Sequence, residues 1–231
     1  MKNKGLILLL FINHLTTAHE TRKQVIILDS GLSPTQLQAP YICKDESRDF
    51  TGHNIIDQHG HGTNIVSLIA KRINQKTYCI VMLKWLQTTH MDTPPTAYVA
   101  ALDYAIHLPR GKFINLSLGG DKNSNLETQL LEKFLLHGGT IAVAAGNDHV
   151  NLDIKCTYFP ACSITLQKYS NFHVIGSLNS RYQRSTFSNY GKIVTNWELG
   201  ENQCDSMNQN CLTGTSQATA NFIAYSLSHL H

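Results

Sequence analysis

Val-Ile-Ile-Leu-Asp-Ser-Gly, residues 25–31, joins four consecutive apolar residues to an acid and a turn. An unbroken apolar run of this length is typical of a strand buried on both faces, because a half-exposed strand alternates apolar and polar residues. Asp29 ends the strand, and Ser30-Gly31 favours a turn. The stretch therefore predicts an acid at the carboxyl end of a buried strand, where it either caps the turn or takes part in chemistry.

Apolar runs and amphipathic stretches alternate along the rest of the 231-residue chain, which is long enough to bury one sizeable core. The predicted strands are Val25–Leu28, Cys79–Leu83, Phe113–Leu118, Ile141–Ala145, Val174–Gly176 and Ile193–Thr195. The predicted helices are His61–Arg72, Thr96–Leu108, Leu126–His137 and Ser216–Leu230. Apolar strands separated by helices indicate an α/β fold with three α/β/α layers and a mostly parallel central sheet.

In such folds, ligand sites lie beyond the carboxyl ends of the strands. Asp29, Ser117 and the pair Gly146-Asn147 all stand at such ends. His61 and Ser216 each open a predicted helix close to a glycine. An acid, an imidazole and a hydroxyl are the groups that make a serine nucleophilic at neutral pH. These positions therefore predict one catalytic site at the edge of the sheet.

Each of these residues also has a purely structural interpretation. His61 and Ser216 could simply cap their helices, and Asn147 could be a turn residue rather than a donor to an oxyanion. His53 and His59 suggest a metal, but no carboxylate is clearly placed to complete a set of ligands. We therefore treat these two histidines as surface residues and expect no metal site.

Several short motifs, taken together, resemble those of the subtilisin-like serine proteases. The four that occur in the family's order are Val25–Gly31, Gly60–Thr63, Ala144–Asn147 and Gly214–Ala218. Two further segments, Ile114–Gly120 and Phe187–Gly191, resemble a substrate-binding strand and a loop of the same family. The resemblance runs from about Val25 to the C-terminus, and it implies a subtilisin-like fold.

The resemblance also implies a role for each residue of the predicted catalytic site. Asp29 would orient His61, which would take the proton of Ser216 and later give it to the leaving amine. Ser216 would attack the scissile carbonyl and form an acyl-enzyme. The side chain of Asn147 and the backbone N–H of Ser216 would hold the oxyanion. The implied function is that of a serine endopeptidase, whose chemistry needs no cofactor.

A second group of residues would bind the polypeptide substrate. By the same resemblance, Ser117, Leu118 and Gly119 would pair with the substrate backbone as an added strand. Ala145 and Gly146 would form a wall of the primary pocket. The loops expected to set the preferred substrate residue are Leu118–Asp121, Asn147–Lys155 and the segment near Thr88–Thr93.

The chain departs from the family's usual pattern at several positions. Asn64 replaces the second His of the usual His-Gly-Thr-His, and Ala220-Asn221 replaces the usual Pro-His after the nucleophile. Only fifteen residues follow Ser216, so we expect a fold truncated at the C-terminus. Two other functions stay open, a catalytically degenerate peptide-binding protein and a serine esterase. The esterase is the weaker alternative, because Gly214–Ala218 is not a Gly-x-Ser-x-Gly elbow.

The N-terminus is typical of a secretory signal peptide. Lys2 and Lys4 precede the apolar run Leu6–Ile12, and the small residues Thr16 and Ala18 follow it. We expect a signal peptide over residues 1–18 and a peptidase domain over residues 19–231, although a buried N-terminal helix is an alternative. The mature chain would be secreted, to the extracellular space or a periplasm. No later segment approaches ~20 apolar residues, so we expect no membrane anchor in the mature chain.

Six cysteines are consistent with an oxidising compartment. Short separations favour the pairs Cys156–Cys162 and Cys204–Cys211, which leaves Cys43–Cys79 by elimination, although about 15 pairings are possible. Zinc is an alternative, but the cysteine spacings match no common zinc motif. The net charge of +3 is not concentrated in a basic run, so we expect no nucleic-acid partner. We also expect a monomer.

Overall fold

The computed structural model describes residues 21–88, 93–94, 96–205 and 210–229. A seven-stranded sheet, parallel in all of its strand pairings, forms its centre. The strands are β1 (Lys23–Asp29), β2 (Arg48–Asp49), β3 (Tyr78–Lys84), β4 (Gly111–Leu116), β5 (Thr140–Ala144), β6 (Phe172–Leu178) and β7 (Asn196–Leu199). They lie in the order β2-β3-β1-β4-β5-β6-β7. The predicted signal peptide, residues 1–18, lies outside the described residues.

Helices cover both faces of this sheet. They are α1 (Pro34–Leu37), α2 (His61–Ala70), α3 (Ala97–Ile106), α4 (Asn125–Leu136), α5 (Ile164–Gln167) and α6 (Thr215–His229). Apolar residues of α2 and α6 share one core with the sheet, and those of α3 and α4 share a second core on the opposite face. The expected three-layer α/β/α fold is therefore confirmed. Within the described residues, no helix has the length and apolarity needed to cross a lipid bilayer.

Strand β1 lies in the middle of the sheet and contributes to both cores. Val25 and Ile27 face the core that contains α2 and α6, whereas Ile26 and Leu28 face the core that contains α3 and α4. All four side chains are at most 1% exposed, and full burial of such side chains is worth about 1.5–3 kcal/mol each. The apolar run of β1 therefore anchors both layers of helices to the sheet.

The strand predicted at Ile193–Thr195 is wrong, because these residues lead into β7 and do not belong to it. The N–H of Val194 donates to the carbonyl of Gly191 at 3.2 Å and closes a turn. Val194 is nevertheless buried against the core. Val194 is therefore apolar because it packs into the core from this turn. The strand itself begins at Asn196.

The three expected disulfides, Cys43–Cys79, Cys156–Cys162 and Cys204–Cys211, are confirmed. All six cysteines are thereby paired, so none has a free thiolate. The last disulfide joins two short antiparallel strands, β8 (Gln203–Cys204) and β9 (Cys211–Leu212), into a hairpin.

Asn64, the residue that departs from the family's usual histidine, connects three elements. It is fully buried in α2. Its Nδ2 donates to the carbonyls of Gln203 and Asn210 in the hairpin segment, at 3.0 and 3.3 Å. Its Oδ1 accepts a hydrogen bond from Nε2 of Gln217 in α6, at 3.2 Å. The asparagine therefore joins the helix of His61 to the hairpin and to the helix of Ser216.

We expect Asn64→Ala to lower the free energy of unfolding by about 1–3 kcal/mol, because it removes three hydrogen bonds, one of them to the buried side chain of Gln217. Urea denaturation followed by circular dichroism measures the change. Asn123→Ala, which alters an exposed asparagine, should stay within about 0.5 kcal/mol of the wild type. Equal stability of the Asn64 and Asn123 variants would contradict the connecting role of Asn64.

Candidate active site

Asp29 and His61 form a hydrogen-bonded pair at the carboxyl end of β1. Nδ1 of His61 lies 2.8 Å from Oδ1 and 3.0 Å from Oδ2 of Asp29. The carboxylate is nearly buried, with 3% of its side chain exposed, whereas 21% of the imidazole is exposed. A carboxylate accepts hydrogen bonds, so Nδ1 carries the proton and Nε2 is left as the basic nitrogen.

The turn after β1 and the start of α2 approach each other closely, and this contact positions the pair. The N–H of Gly62 donates to Oγ of Ser30 at 2.9 Å. A Cβ atom on Gly62 would lie only 2.6 Å from the carbonyl oxygen of Gly31, so a larger residue could not be accommodated without displacement. The glycine after His61 therefore lets the helix reach the acid.

Asp57 holds the first turn of α2. Its Oδ2 accepts hydrogen bonds from the N–H and the hydroxyl of Thr63, at 2.8 and 2.7 Å. Its Oδ1 accepts the N–H of Gly60 at 2.8 Å. Burial raises the pKa of Asp57, but these hydrogen bonds and one from Ser30 lower it by more, so that the pKa lies below its ordinary value. The ionised carboxylate therefore stabilises the N-terminus of the helix.

The pKa of His61 is raised above its ordinary value of 6.5. Burial lowers this pKa, but the charge of Asp29, its hydrogen bond and the charge of Asp57 together raise it by more. Opposite charges favour the imidazolium form. The site is therefore built to stabilise a protonated His61, which is the form a general base takes after it has accepted a proton.

Ser216 opens α6 beside the strand segment that follows β4. Its Oγ donates to the carbonyl of Ser117 at 3.1 Å, and Oγ of Ser117 donates to the carbonyl of Ser216 at 2.9 Å. In the described part of the chain, no hydrogen bond joins Ser216 to His61. The structure thus brings Ser216 to Ser117 and His61 to Asp29, as two hydrogen-bonded pairs.

Asn147 is oriented by the N-terminus of α6. Its Oδ1 accepts hydrogen bonds from the N–H and the hydroxyl of Thr215, at 2.9 and 3.0 Å. The hydroxyl of Thr215 in turn accepts the N–H of Gly146 at 3.1 Å. Because its oxygen is engaged, the amide of Asn147 presents Nδ2 as its remaining group, and this group is a hydrogen-bond donor.

Asn189 supports the turn that carries Asn147. Its Nδ2 donates to the carbonyl of Ala145 at 2.9 Å, and its Oδ1 accepts the N–H groups of Asp148 and Val150. Gly146 has a positive φ of 98°, and a Cβ there would lie 2.3 Å from Nδ2 of Asn189. The turn therefore requires glycine at this position.

The segment after β4 offers free backbone groups beside the site. Gly120 pairs with Phe159, but the backbone groups of Leu118 and Gly119 have no backbone partner among the described residues. A cavity of about 240 Å³ adjoins this segment. It is lined by Leu28, Asp29, His59, His61, Trp85, Leu86, Ser117, Leu118, Gly119 and Tyr158. An extended peptide could therefore add to this edge next to His61.

The parallel sheet between two layers of helices, the Asp29–His61 pair at its edge and Ser216 in the first turn of α6 define the class of protein, a three-layer α/β/α protein with an acid, an imidazole and a serine at one end of its sheet. The model of the subtilase family, peptidase S8, matches residues 23–227. The chain therefore belongs to the subtilase family.

Curated relatives agree with this membership. The proteins named subtilisin-like protease 2 of Trichophyton verrucosum, Arthroderma benhamiae and Trichophyton rubrum are each 30% identical to the chain over 210 residues. Each match covers 84% of this chain but 44% of the relative, so the chain spans less than half the length of these proteins. The relatives are named as proteases, and the alternative of a degenerate binding protein is not supported by these comparisons.

A solved structure agrees with the fold. The crystal structure of a cold adapted subtilisin-like serine proteinase matches with a TM-score of 0.69 at 21% sequence identity. The match covers 88% of this chain and 73% of that one. The expected subtilisin-like arrangement of sheet and helices is therefore confirmed.

Sequence reasoning did not assign roles to three residues that hold the site together, Asp57, Thr215 and Asn189. Asp57 precedes the His motif by three residues and could have been recognised as a helix cap. Thr215 and Asn189 lie in the family-like segments Gly214–Ala218 and Phe187–Gly191, but they act through contacts with residues far along the chain, and the segments alone do not show these contacts.

We expect the acid limb of the pH profile of kcat/KM to have its midpoint above pH 6.5, because activity requires neutral His61 and its pKa is raised. Asp57→Asn removes one of the charges that raise this pKa but keeps an oxygen acceptor for the helix. The limb should therefore move to lower pH. Hydrolysis of one peptide over about pH 5–9 measures the shift.

Asp103→Asn is the matched control, since it neutralises an exposed carboxylate on α3. Its acid limb should coincide with that of the wild type. An unchanged limb in the Asp57 variant, or a move to higher pH, would contradict the electrostatic role of Asp57.

Proposed function

We propose that this chain is a secreted serine endopeptidase that hydrolyses peptide bonds through an acyl-enzyme on Ser216. The observation that carries the proposal is the Asp29–His61 pair, with Nε2 of His61 left as a base, in a fold whose helix α6 packs with α2 and has Ser216 as its second residue. Membership of the subtilase family supports the same reaction.

Acylation begins when His61 removes the proton of Ser216. For this step the hydroxyl must leave the carbonyl of Ser117 and donate to Nε2. The oxygen then attacks the substrate carbonyl, and the imidazolium that forms is stabilised by Asp29. His61 next gives its proton to the leaving amine, and the peptide bond breaks.

The oxyanion of the tetrahedral intermediate would be held by Nδ2 of Asn147 and the backbone N–H of Ser216. Thr215 fixes the oxygen of the Asn147 amide, so the donor is oriented before the substrate arrives. The N-terminus of α6 adds its partial positive charge. Donors fixed in advance cost no reorganisation when the charge develops, which is why such sites lower the barrier.

Deacylation repeats the same steps with water. His61 removes a proton from a water molecule, the hydroxide attacks the acyl carbonyl, and Ser216 leaves with the proton returned by His61. The net reaction is hydrolysis, and no cofactor takes part.

Substrate would bind as an added strand along Ser117, Leu118 and Gly119, with Ala145 and Gly146 on the opposite side of the primary pocket. The unpaired backbone groups of Leu118 and Gly119 support this assignment. Secretion, after removal of residues 1–18, is supported by three disulfides, which persist in oxidising compartments.

Ser216→Ala should yield a folded protein whose kcat for peptide hydrolysis falls by roughly 10⁵-fold or more. The variant should also lose labelling by a fluorophosphonate, which reacts with an activated serine. Ser228→Ala, on the exposed end of α6, should keep both properties. Wild-type hydrolysis by the Ser216 variant would show that this serine is not the nucleophile.

Two substitutions at Asn147 distinguish the role of its amide donor, Nδ2, from the role of its acceptor, Oδ1. Asn147→Asp keeps an oxygen for Thr215 but removes the amide donor, so kcat should fall by about 10²–10³ with little change in unfolding temperature. Asn147→Ala should lower kcat similarly and also destabilise the chain, because the N–H and hydroxyl of Thr215 lose their acceptor. Full activity of either variant would remove Asn147 from the oxyanion site.

A further inference from the structure

The ring of Tyr158 lies close to both Gly119 and Gly146, one glycine from each proposed wall of the primary pocket. A Cβ on Gly119 would lie 2.2 Å from both Cε1 and Cζ of the tyrosine ring. A Cβ on Gly146 would lie 3.1 Å from Cγ and Cδ2 of the same ring. Carbon atoms in ordinary contact are about 3.5–4.0 Å apart. The ring therefore packs directly against both glycines: a Cβ on Gly119 would have to displace it, and a Cβ on Gly146 would be in tight contact with it.

The loop that carries Tyr158 is fixed at both ends. Residues 156–162 are closed by the disulfide Cys156–Cys162. Phe159 and Gly120 exchange two backbone hydrogen bonds, at 2.8 and 2.9 Å, which tie the loop to the substrate-binding segment. The N–H of Cys162 also donates to the carbonyl of Tyr158 at 2.9 Å. The backbone of the tyrosine is thereby held beside the pocket.

The space that remains lies on the other side of the ring. Tyr158 forms part of the lining of the cavity next to His61, together with Ser117 and Gly119. Among the described residues, Ala145 and Gly146 do not belong to this lining. The gap between the two glycine walls is thus filled by the chain's own side chain.

We propose that Tyr158 occupies the primary pocket and restricts the residue on the amino side of the scissile bond to glycine or alanine. This inference rests on the proposed peptidase function and adds its substrate class. A larger side chain at that position of the substrate would need the space of the tyrosine ring, whereas a hydrogen or a methyl group would not. Overlap in a packed site is strongly unfavourable, since interiors tolerate little added volume.

The test compares peptides that differ only in the residue on the amino side of the scissile bond, which is Ala, Leu or Phe. The wild type should have a kcat/KM for Ala that exceeds the value for Phe by about tenfold or more. Tyr158→Gly should open the pocket and raise the Phe-to-Ala ratio by about tenfold or more. Tyr158→Phe keeps the ring and should keep the preference for Ala. Tyr182→Ala, which removes an exposed tyrosine, should keep the wild-type ratio.

Two results would overturn the proposal. One is a wild type that hydrolyses the Phe and Ala peptides equally well. The other is a folded Tyr158→Gly variant that reacts with fluorophosphonate but keeps the wild-type ratio. The first comparison needs no variant, so it decides the matter even if Tyr158→Gly does not fold.

A binding experiment separates this inference from the catalytic proposal. Calorimetry on Ser216→Ala compares two peptides that end in Ala or Phe and so resemble the acyl product. Tighter binding of the Ala peptide supports the role of Tyr158 even if the wild type shows neither turnover nor labelling, in which case the peptidase proposal alone fails. Equal binding overturns the role of Tyr158, whatever the activity.

Discussion

The arrangement of the candidate site depends on the hydrogen bond between Asp29 and His61. It requires a buried strand to end at an acid and a helix to begin at an imidazole, less than 3 Å apart at Nδ1 and Oδ1. A Cβ on Gly62 would collide with the backbone of Gly31. The distance between acid and base is thus set by main-chain contact, and Asp57 keeps the helix start from moving away.

Much of the fold follows from local patterns, and its exceptions have physical causes. Strand β1 and helix α2 were predictable because apolar runs and glycines mark their cores and ends. Strand β2 has two residues and helix α5 has four, which is too short for a periodic signal. Strand β7 lies at the edge of the sheet and is half-buried, so its Asn-Trp-Glu-Leu sequence is only partly apolar. The neighbouring Val194 is buried without belonging to a strand.

The predicted site residues are those that chemistry needs, and such residues stand in recognisable motifs. The contacts that orient them cannot be read from those motifs. Thr215 reaches Asn147 across 68 positions of the chain, and Gln217 reaches Asn64 across 153. Tyr158 lies just beyond the loops expected to set specificity, and only the folded chain shows that its ring meets two glycines. Pairwise contacts over such separations leave no trace in a single sequence.

The disulfide loop of residues 156–162 has a consequence for how such a protein can diversify. The proposed catalytic residues stand on β1, α2 and α6, whereas Tyr158, proposed to fill the primary pocket, stands on a separate closed loop. A substitution at Tyr158 would leave Asp29, His61 and Ser216 untouched. A single substitution could therefore change the preferred substrate residue during evolution, without an intermediate protein that had lost catalytic activity.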